Sequence, residues 1–199
     1  MTEKQPRLIL ASGSAIRVRI LEGAGVPFDI VRPEVDEDAI KKRALGEGRT
    51  LREAAQLLAD AKALSVDADA PVLGSDQILA FEGRGFDKPR SRDEARGRLK
   101  LLQGRRHALI NAVSIARGGK IVFRHIEEPV LHMRALTDKE IGAYLDTAGD
   151  EVLSSVGAYQ VEALGSRLFD RIDGDYFAVL GLSLYPLLGY LRREGLLAF

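Results

Sequence analysis

Short apolar runs alternate with amphipathic segments along the whole of this chain, and this alternation limits its possible folds more than any other feature. The apolar runs predict strands at Arg7–Ala11, Phe28–Val31, Ala108–Ala116, Lys120–His125 and Val130–Met133. Strands that alternate with helices are typical of α/β folds. Because Gly118-Gly119 separates two of the runs, it predicts a β-hairpin, and the sheet is then mixed rather than purely parallel.

Helix starts are marked by three capping boxes, in which Ser or Thr is followed three residues later by Glu. The boxes lie at Thr50–Glu53, Ser91–Glu94 and Thr137–Glu140. The first opens a helix whose apolar face has the spacing i, i+3, i+4, i+7, given by Ala54, Leu57, Leu58 and Ala61. Two further helices are predicted, one from about Ala15 with Ser14 as its cap, and one from about Leu184 to Arg193.

The composition favours one globular domain over residues 1–199 and excludes several classes of protein. Of the 199 residues, 46% are hydrophobic and 29% are charged, so the chain can bury a core of its own. Its 29 Lys and Arg equal its 29 Asp and Glu, which argues against a surface that binds nucleic acid. Since the chain has no Cys, it can form no disulfide, Cys-ligated zinc site, iron–sulfur cluster or thiol nucleophile.

No apolar run is long enough to predict a membrane span. The longest uncharged run, Tyr176–Leu191, has 16 residues, whereas a spanning helix needs about 20. The apolar stretch near the start is also too short for a secretory signal. We therefore expect a soluble cytoplasmic protein with no membrane partner, and homodimer formation stays open.

The first segment that could carry chemistry is Leu8–Ser14, where a predicted strand passes through small residues into a helix. The free N–H groups and the dipole at such a helix start favour an anion, typically phosphate. Arg17, in the first helical turn, could add a bidentate contact. The alternative is a tight turn between strand and helix, with no ligand.

The second segment is Pro71–Phe81, an apolar run interrupted at Gly74–Gln77. A carboxylate at Asp76 is costly to bury unless it binds a metal, a cation or substrate. Asp76 could act as a general base for a water, as a Mg²⁺ ligand, or as both. The alternative is a bulge or turn that exposes Asp76 to solvent.

Several other residues are weaker candidates for a functional site. Lys62 borders the apolar face of the helix that begins after Thr50, and Lys88 precedes a proline that fixes a turn. The acidic stretch Pro33–Asp38 could hold a divalent cation. The alternatives are solvated lysines and a charged loop. Glycines, aromatic residues and acids in Gly157–Gly165 indicate a pocket wall, although turn chemistry alone can explain them. The three histidines, at 107, 125 and 132, lack metal-ligand spacing and are interpreted as structural.

Taken together, these segments resemble the Maf family of nucleoside triphosphate pyrophosphatases from Leu8 to about Leu191. The motifs that carry the resemblance are LILASGS at 8–14, PEVDE at 33–37, AKA at 61–63, GSDQ at 74–77, DKP at 87–89, LLQGRRH at 101–107, GAYQVEALG at 157–165 and DGDYFAVLGLSL at 173–184. The resemblance implies an ITPase-like α/β fold, with a mixed elongated sheet flanked by helices and two lobes around a central cleft. It also implies an enzyme that is often dimeric.

The implied reaction converts a nucleoside triphosphate to the monophosphate and pyrophosphate with a divalent metal, Mg²⁺ or Mn²⁺. By motif, Asp76 matches the catalytic acid, which would orient and deprotonate the attacking water and also contact the metal. Glu37 matches an acidic position linked to the metal. The positions that match phosphate-handling residues are Ser12, Arg17, Lys62 and Lys88.

The resemblance also identifies three positions that vary with substrate, here Ile16, Gln77 and Glu162. The Gln and the Glu are similar to the branch that prefers 7-methyl-GTP. A carboxylate at Glu162 can accept hydrogen bonds from both N1–H and N2–H₂ of guanine, and it favours a base made cationic by methylation at N7. Ile16 stands where that branch tends to have an aromatic residue, so we expect a preference for 7-methyl-GTP or another modified purine nucleotide with reduced selectivity.

Two departures from the family pattern and two alternative functions accompany this interpretation. The chain has Ser14-Ala15-Ile16-Arg17 where the family often reads Ser-Pro-Arg-Arg or Ser-Pro-Trp-Arg, and Asn111 replaces an expected threonine. One alternative is a dTTP or UTP pyrophosphatase. The other is a nucleotide-binding regulator of cell division with little catalysis, although the retained Asp76 favours an enzyme.

Overall fold

The computed structural model describes residues 7–199; residues 1–6, part of the stretch where we expect no secretory signal, lie outside the described residues. The strands are β1 (Leu8–Ala11), β2 (Phe28–Val31), β3 (Val72–Phe81), β4 (Arg84–Phe86), β5 (Arg106–Arg117), β6 (Lys120–Glu127), β7 (Val130–Met133) and β8 (Phe169–Asp173). The helices are α1 (Ala15–Gly23), α2 (Glu37–Gly46), α3 (Leu51–Leu64), α4 (Arg92–Leu102), α5 (Asp138–Ala148), α6 (Tyr176–Val179) and α7 (Leu184–Arg193). Short 3₁₀ helices span Gly149–Ser154 and Leu164–Leu168.

The strands form a mixed sheet, as the glycine pair in the sequence predicts. The strand order is β2-β1-β3-β5-β7-β8, with β4 paired to β3 and β6 paired to β5. β1 is parallel to both β2 and β3, whereas β5 is antiparallel to β6 and β7. Gly118 and Gly119 join β5 to β6 with positive φ angles of 56° and 71°, a conformation that glycine adopts without strain. The expected mixed α/β fold is therefore confirmed.

The chain divides into two compact units. Unit 1 comprises the chain up to Asp76 together with Asn111–Glu127 and Gly181–Phe199, and unit 2 comprises Gln77–Ile110 and Glu128–Leu180. Unit 2 has a core built around large buried side chains from α4, α5, β5 and β7, including Leu99, Leu102, Leu109, Leu131, Ile141 and Leu145. Within the part of the chain that the structure describes, no helix is both long and apolar enough to cross a membrane.

The helix starts that the three capping boxes predict are confirmed, with one difference in capping. Thr50 and Thr137 form reciprocal capping boxes with Glu53 and Glu140. At the third site the Ser91 hydroxyl accepts from the Glu94 N–H, but the Glu94 carboxylate accepts from the N–H of residue 90 instead of Ser91. The box is therefore one-sided there, because the Glu94 carboxylate binds the N–H of the residue before Ser91.

Ser14 occupies the N-cap position of α1, but its side chain makes no capping hydrogen bond, so the predicted capping role is wrong. The Ser12 hydroxyl instead accepts from the Ser14 N–H at 3.1 Å. This bond closes a local turn of the kind that serine hydroxyls form with the backbone two residues on. The side chain that organises the turn is thus Ser12.

The alternative of a bulge or turn at Asp76 is wrong, because β3 continues without interruption from Val72 to Phe81.

The buried face of α3 also differs from the prediction: Leu57 and Ala61 are only half-buried, whereas Ala55, Ala59 and Lys62 are buried. The cause is Gly74, since a Cβ there would lie 2.3 Å from the Ala59 carbonyl oxygen. The missing side chain lets α3 contact β3 along its alanines.

We predict that Gly74→Ala lowers the free energy of unfolding by about 2–3 kcal/mol, since the added methyl group would meet backbone atoms that cannot move independently. The nearest are the Ala59 oxygen at 2.3 Å and the Ala63 nitrogen at 2.5 Å. The matched control is Gly97→Ala in α4, where an added Cβ has no atom within 4 Å. Better helix propensity should raise the stability of that variant by about 0.5–1 kcal/mol. Urea unfolding measures both, and equal stabilities for the two variants would contradict the close-contact argument.

Candidate active site

The turn after β1 presents a serine and an arginine that are both buried. The parallel register pairs Ala11 of β1 with Gly74 of β3, so Ser12 follows the end of β1 beside the part of β3 that contains Ser75. Arg17 Nη1 donates to Ser12 Oγ at 3.3 Å, and Arg17 Nε donates to the Gly181 carbonyl oxygen at 2.8 Å. The guanidinium group is therefore fixed on two sides.

The charge of Arg17 is held in an environment that is poor in water. Burial lowers the pKa of its guanidinium from the ordinary value, and the negative charges of Asp76 and Glu37 act in the opposite direction. An arginine stays protonated at neutral pH even under such a shift. Arg17 therefore supplies a fixed, poorly hydrated positive charge within the field of two carboxylates.

Lys62 joins the two acidic residues that the sequence singles out. Its Nζ lies 2.8 Å from Asp76 Oδ1 and 2.9 Å from Glu37 Oε2. Lys62 and Asp76 are each only 6% exposed, whereas the side chain of Glu37 is 51% exposed. A buried ammonium and carboxylate are costly to desolvate, and each offsets the cost of the other only while they remain in contact.

Each member of this cluster is positioned by its own element. Asp76 lies on β3, and Lys62 lies on α3, on the face that contacts β3 around Gly74. Glu37 is the first residue of α2, whose start is capped by the Asp36 carboxylate accepting from the Ala39 N–H at 2.9 Å. The acidic stretch is therefore a helix start, and only Glu37 reaches Lys62 from it.

Glu37 and Asp76 also fit the binding of a divalent metal ion whose remaining coordination positions are filled by substrate and water. Their carboxylates converge on one ammonium group, which puts oxygen ligands from two elements beside the same point. Mg²⁺ is usually held by one or two carboxylates, with phosphate oxygens and waters filling the remaining positions. Within residues 7–199, no group of three or more His, Asp or Glu side chains is arranged to hold a metal by itself.

The other predicted residues lie as follows. Ile16 is half-buried in α1 of unit 1. Gln77, Lys88 and Glu162 belong to unit 2. Gln77 Nε2 donates to the carbonyl oxygens of Ala178 at 2.8 Å and Val179 at 3.1 Å, whereas Lys88 and Glu162 are exposed. Their proposed contacts with a nucleotide stay predictions.

Arg98 is a residue of unit 2 that the sequence does not single out. Its Nη1 donates to the carbonyl oxygens of Asp87, at 3.1 Å, and of Val156. Its guanidinium lies over the ring of Phe86, 4.5 Å from the centroid. One side chain thus holds the backbone just before Lys88 and the backbone leading into Gly157–Gly165. Arg98 looks like an ordinary polar position of an amphipathic helix, so no sequence signal marks it.

His107 and Tyr159 form a buried pair in unit 2, in agreement with a structural role for this histidine. His107 Nε2 and the Tyr159 hydroxyl are 2.6 Å apart, and Nδ1 of His107 is buried without a hydrogen-bond partner. Burial, together with the charge of His132, lowers the pKa of His107 to about 4, and burial raises the pKa of Tyr159. Both groups are neutral at pH 7, so the pair packs the GAYQVEALG segment without adding charge.

A parallel strand that leads into a helix, with a buried arginine in the field of a lysine–carboxylate cluster, is the arrangement of an α/β protein that can bind a phosphorylated ligand. Comparison with known proteins identifies its family. The model of the Maf family, described as Maf-like protein, matches residues 7–194. The chain therefore belongs to the Maf family.

Its relatives are similar over nearly their whole length. A nucleoside triphosphate pyrophosphatase of Rhodopseudomonas palustris (strain HaA2) is 50% identical over 195 residues, covering 96% of each chain. Proteins of the same name from Granulibacter bethesdensis and Caulobacter vibrioides are 44% and 46% identical, covering 94% of this chain and 97% and 96% of theirs. A solved nucleoside-triphosphatase (dITP/XTP pyrophosphatase) of Mycobacterium abscessus aligns at 14% identity with a TM-score of 0.39, covering 96% of this chain and 98% of its own.

Proposed function

We propose that this protein is a nucleoside triphosphate pyrophosphatase, with residues 1–199 acting as one pyrophosphatase domain. The observation that carries the proposal is Asp76, a buried carboxylate in an otherwise apolar strand, held by Lys62 and lying in the field of Arg17. A carboxylate is kept in such a position at an energetic cost, which is typical of functional sites. Family membership and the names of the relatives support the same activity.

In the proposed mechanism Asp76 orients a water molecule and accepts its proton as the oxygen attacks the α-phosphorus in line with the departing pyrophosphate. Lys62 and Arg17 stabilise the negative charge on the phosphate oxygens, and Ser12 orients Arg17 through the 3.3 Å hydrogen bond. Lys88 binds the phosphate chain as a further cation. When bound at Glu37 and Asp76, a divalent cation such as Mg²⁺ or Mn²⁺ supplies additional charge neutralisation.

We predict that hydrolysis in H₂¹⁸O yields pyrophosphate and a nucleoside monophosphate that carries the label. Attack at the α-phosphorus places the solvent oxygen on the monophosphate, whereas attack at the β-phosphorus would place it on pyrophosphate. Mass spectrometry of the separated products distinguishes the two positions. A nucleoside diphosphate and orthophosphate as the main products would refute the proposed reaction, and the lack of any turnover would favour a nucleotide-binding regulator.

We predict that Asp76→Asn lowers kcat at least 100-fold, because the amide can neither accept the proton of the water nor carry the negative charge. The control is Asp60→Asn, which alters a comparably buried carboxylate on α3 that bonds to Arg124 at 2.9 Å and Ser114 at 2.6 Å. Its kcat, measured per folded molecule, should stay within a few-fold of wild type. Similar kcat values for the two variants would remove Asp76 from the mechanism.

We further propose that the preferred substrate is 7-methyl-GTP or a related modified purine nucleotide. Glu162 is exposed in the segment that follows the buried Tyr159, and its carboxylate can accept two hydrogen bonds from the guanine edge. A uracil or thymine ring offers one donor there, which leaves an acceptor unpaired. Ile16 and Gln77 are the other two positions expected to influence the choice of base.

We predict that Glu162→Gln lowers the ratio of kcat/KM for 7-methyl-GTP to that for UTP by roughly tenfold or more, as expected for a loss of about 1–3 kcal/mol of discrimination. Glu82→Gln is the control, because it removes an exposed carboxylate of the same unit that pairs with Arg105 at 2.6 Å. Initial rates with 7-methyl-GTP, GTP, UTP and dTTP give the ratios. Faster hydrolysis of UTP or dTTP by the wild type would assign the pyrimidine specificity instead.

A further inference from the structure

β5 carries an asparagine that no solvent reaches. Asn111 is fully buried, and its strand neighbours Ile110 and Ala112 are buried as well. An amide in such surroundings is destabilising unless its donors and acceptors are paired, so its partners indicate what it does.

Both ends of the Asn111 amide are paired. Nδ2 donates to the backbone carbonyl oxygen of Asp76 at 3.2 Å and makes a longer contact of 3.4 Å with Ser75 Oγ. Oδ1 accepts from the Ser183 N–H at 2.8 Å and from the Ser183 hydroxyl at 2.7 Å. Asn111 therefore ties β3, at the residue that carries the proposed base, to the segment that precedes α7.

The same network continues to the buried arginine. Ser75 Oγ donates to the Gly181 carbonyl oxygen at 3.0 Å, and that oxygen also accepts from Arg17 Nε at 2.8 Å. Ser75 and Ser183 are as fully buried as Asn111. Hydrogen bonds in an environment of this kind are strong and hold a single geometry, because no water competes for them.

We propose that Asn111 is a positioning residue for hydrolysis, which fixes Asp76 through its backbone and Arg17 through Ser75 and Gly181. Asn111 touches neither the water nor the phosphates in this role. The inference rests on the proposed function and extends it, since it assigns the alignment of the base and of the phosphate-binding cation to one side chain. A misplacement of reacting groups by about 1 Å can cost about 100-fold in rate, so such alignment has a measurable effect.

A pair of nearly isosteric variants separates this role from simple packing. Asn111→Thr retains a hydroxyl that can donate and accept, whereas Asn111→Val has a side chain of the same shape as threonine but no polar atom. We expect kcat per folded molecule to fall at least tenfold in the valine variant and to stay within about fivefold of wild type in the threonine variant. A role in packing alone would change the unfolding midpoint of both variants and leave both kcat values equal.

Two further variants complete the test. Ser114→Ala, which removes another buried hydroxyl from β5, should leave kcat per folded molecule within twofold of wild type. Ser75→Ala interrupts only the branch to Arg17, so it should raise KM at least threefold, and it provides a readout even if the valine variant does not fold. Valine and threonine variants with equal kcat would overturn the role of Asn111, as would an unchanged KM in Ser75→Ala. Absence of pyrophosphate release by the wild type would instead reject the proposed function, and the role of Asn111 with it.

Discussion

The close contact between α3 and β3 at Gly74 is the constraint on which the rest of the site depends. Without a side chain at Gly74, the backbone of α3 at Ala59 and Ala63 can lie directly on the strand. This contact turns Lys62 inward and puts its ammonium 2.8 Å from Asp76. If α3 lay farther from β3, the Lys62 side chain would have to extend farther to reach Asp76, and fixing it there would cost more conformational entropy.

The charges of the cluster are arranged so that the free protein tolerates them. Lys62 and Arg17 together balance the charges of Asp76 and Glu37. Lys62 and Asp76 lie closest to each other, and among residues 7–199 they form the most buried ion pair. A triphosphate brings several further negative charges, so substrate binding favours the arrival of an additional cation. The half-exposed carboxylate of Glu37 is consistent with the binding of such a cation, because this carboxylate is already partly hydrated.

In unit 2, hydrogen bonds and aromatic packing, rather than buried ion pairs, hold the segments that are expected to bind the nucleotide. Arg98 binds two backbone carbonyl groups and stacks on Phe86, and the neutral pair of His107 and Tyr159 anchors the segment that leads to Glu162. The ring of Tyr159 lies where a Cβ at position 157 would have to go, which explains the glycine at that position. Bulky, hydrogen-bonded anchors of this kind keep a surface segment in one conformation while its polar residues remain accessible.

The sequence by itself determined the α/β pattern, the hairpin at Gly118-Gly119, the starts of α3, α4 and α5, and Asp76 as the most unusual carboxylate. These features are local, because they depend on periodicity, on capping within four residues, or on one charge in an apolar run. Only the tertiary structure decided that Lys62 joins Asp76 to Glu37 and that Ser12 rather than Ser14 organises the first turn. It likewise decided that Asn111 links Asp76 to Ser183, and that Arg98 is an anchor. Apart from the local bond between Ser12 and Ser14, these contacts join different helices, strands or loops. Their geometry follows from how closely the backbones approach, which no local pattern of residue types encodes.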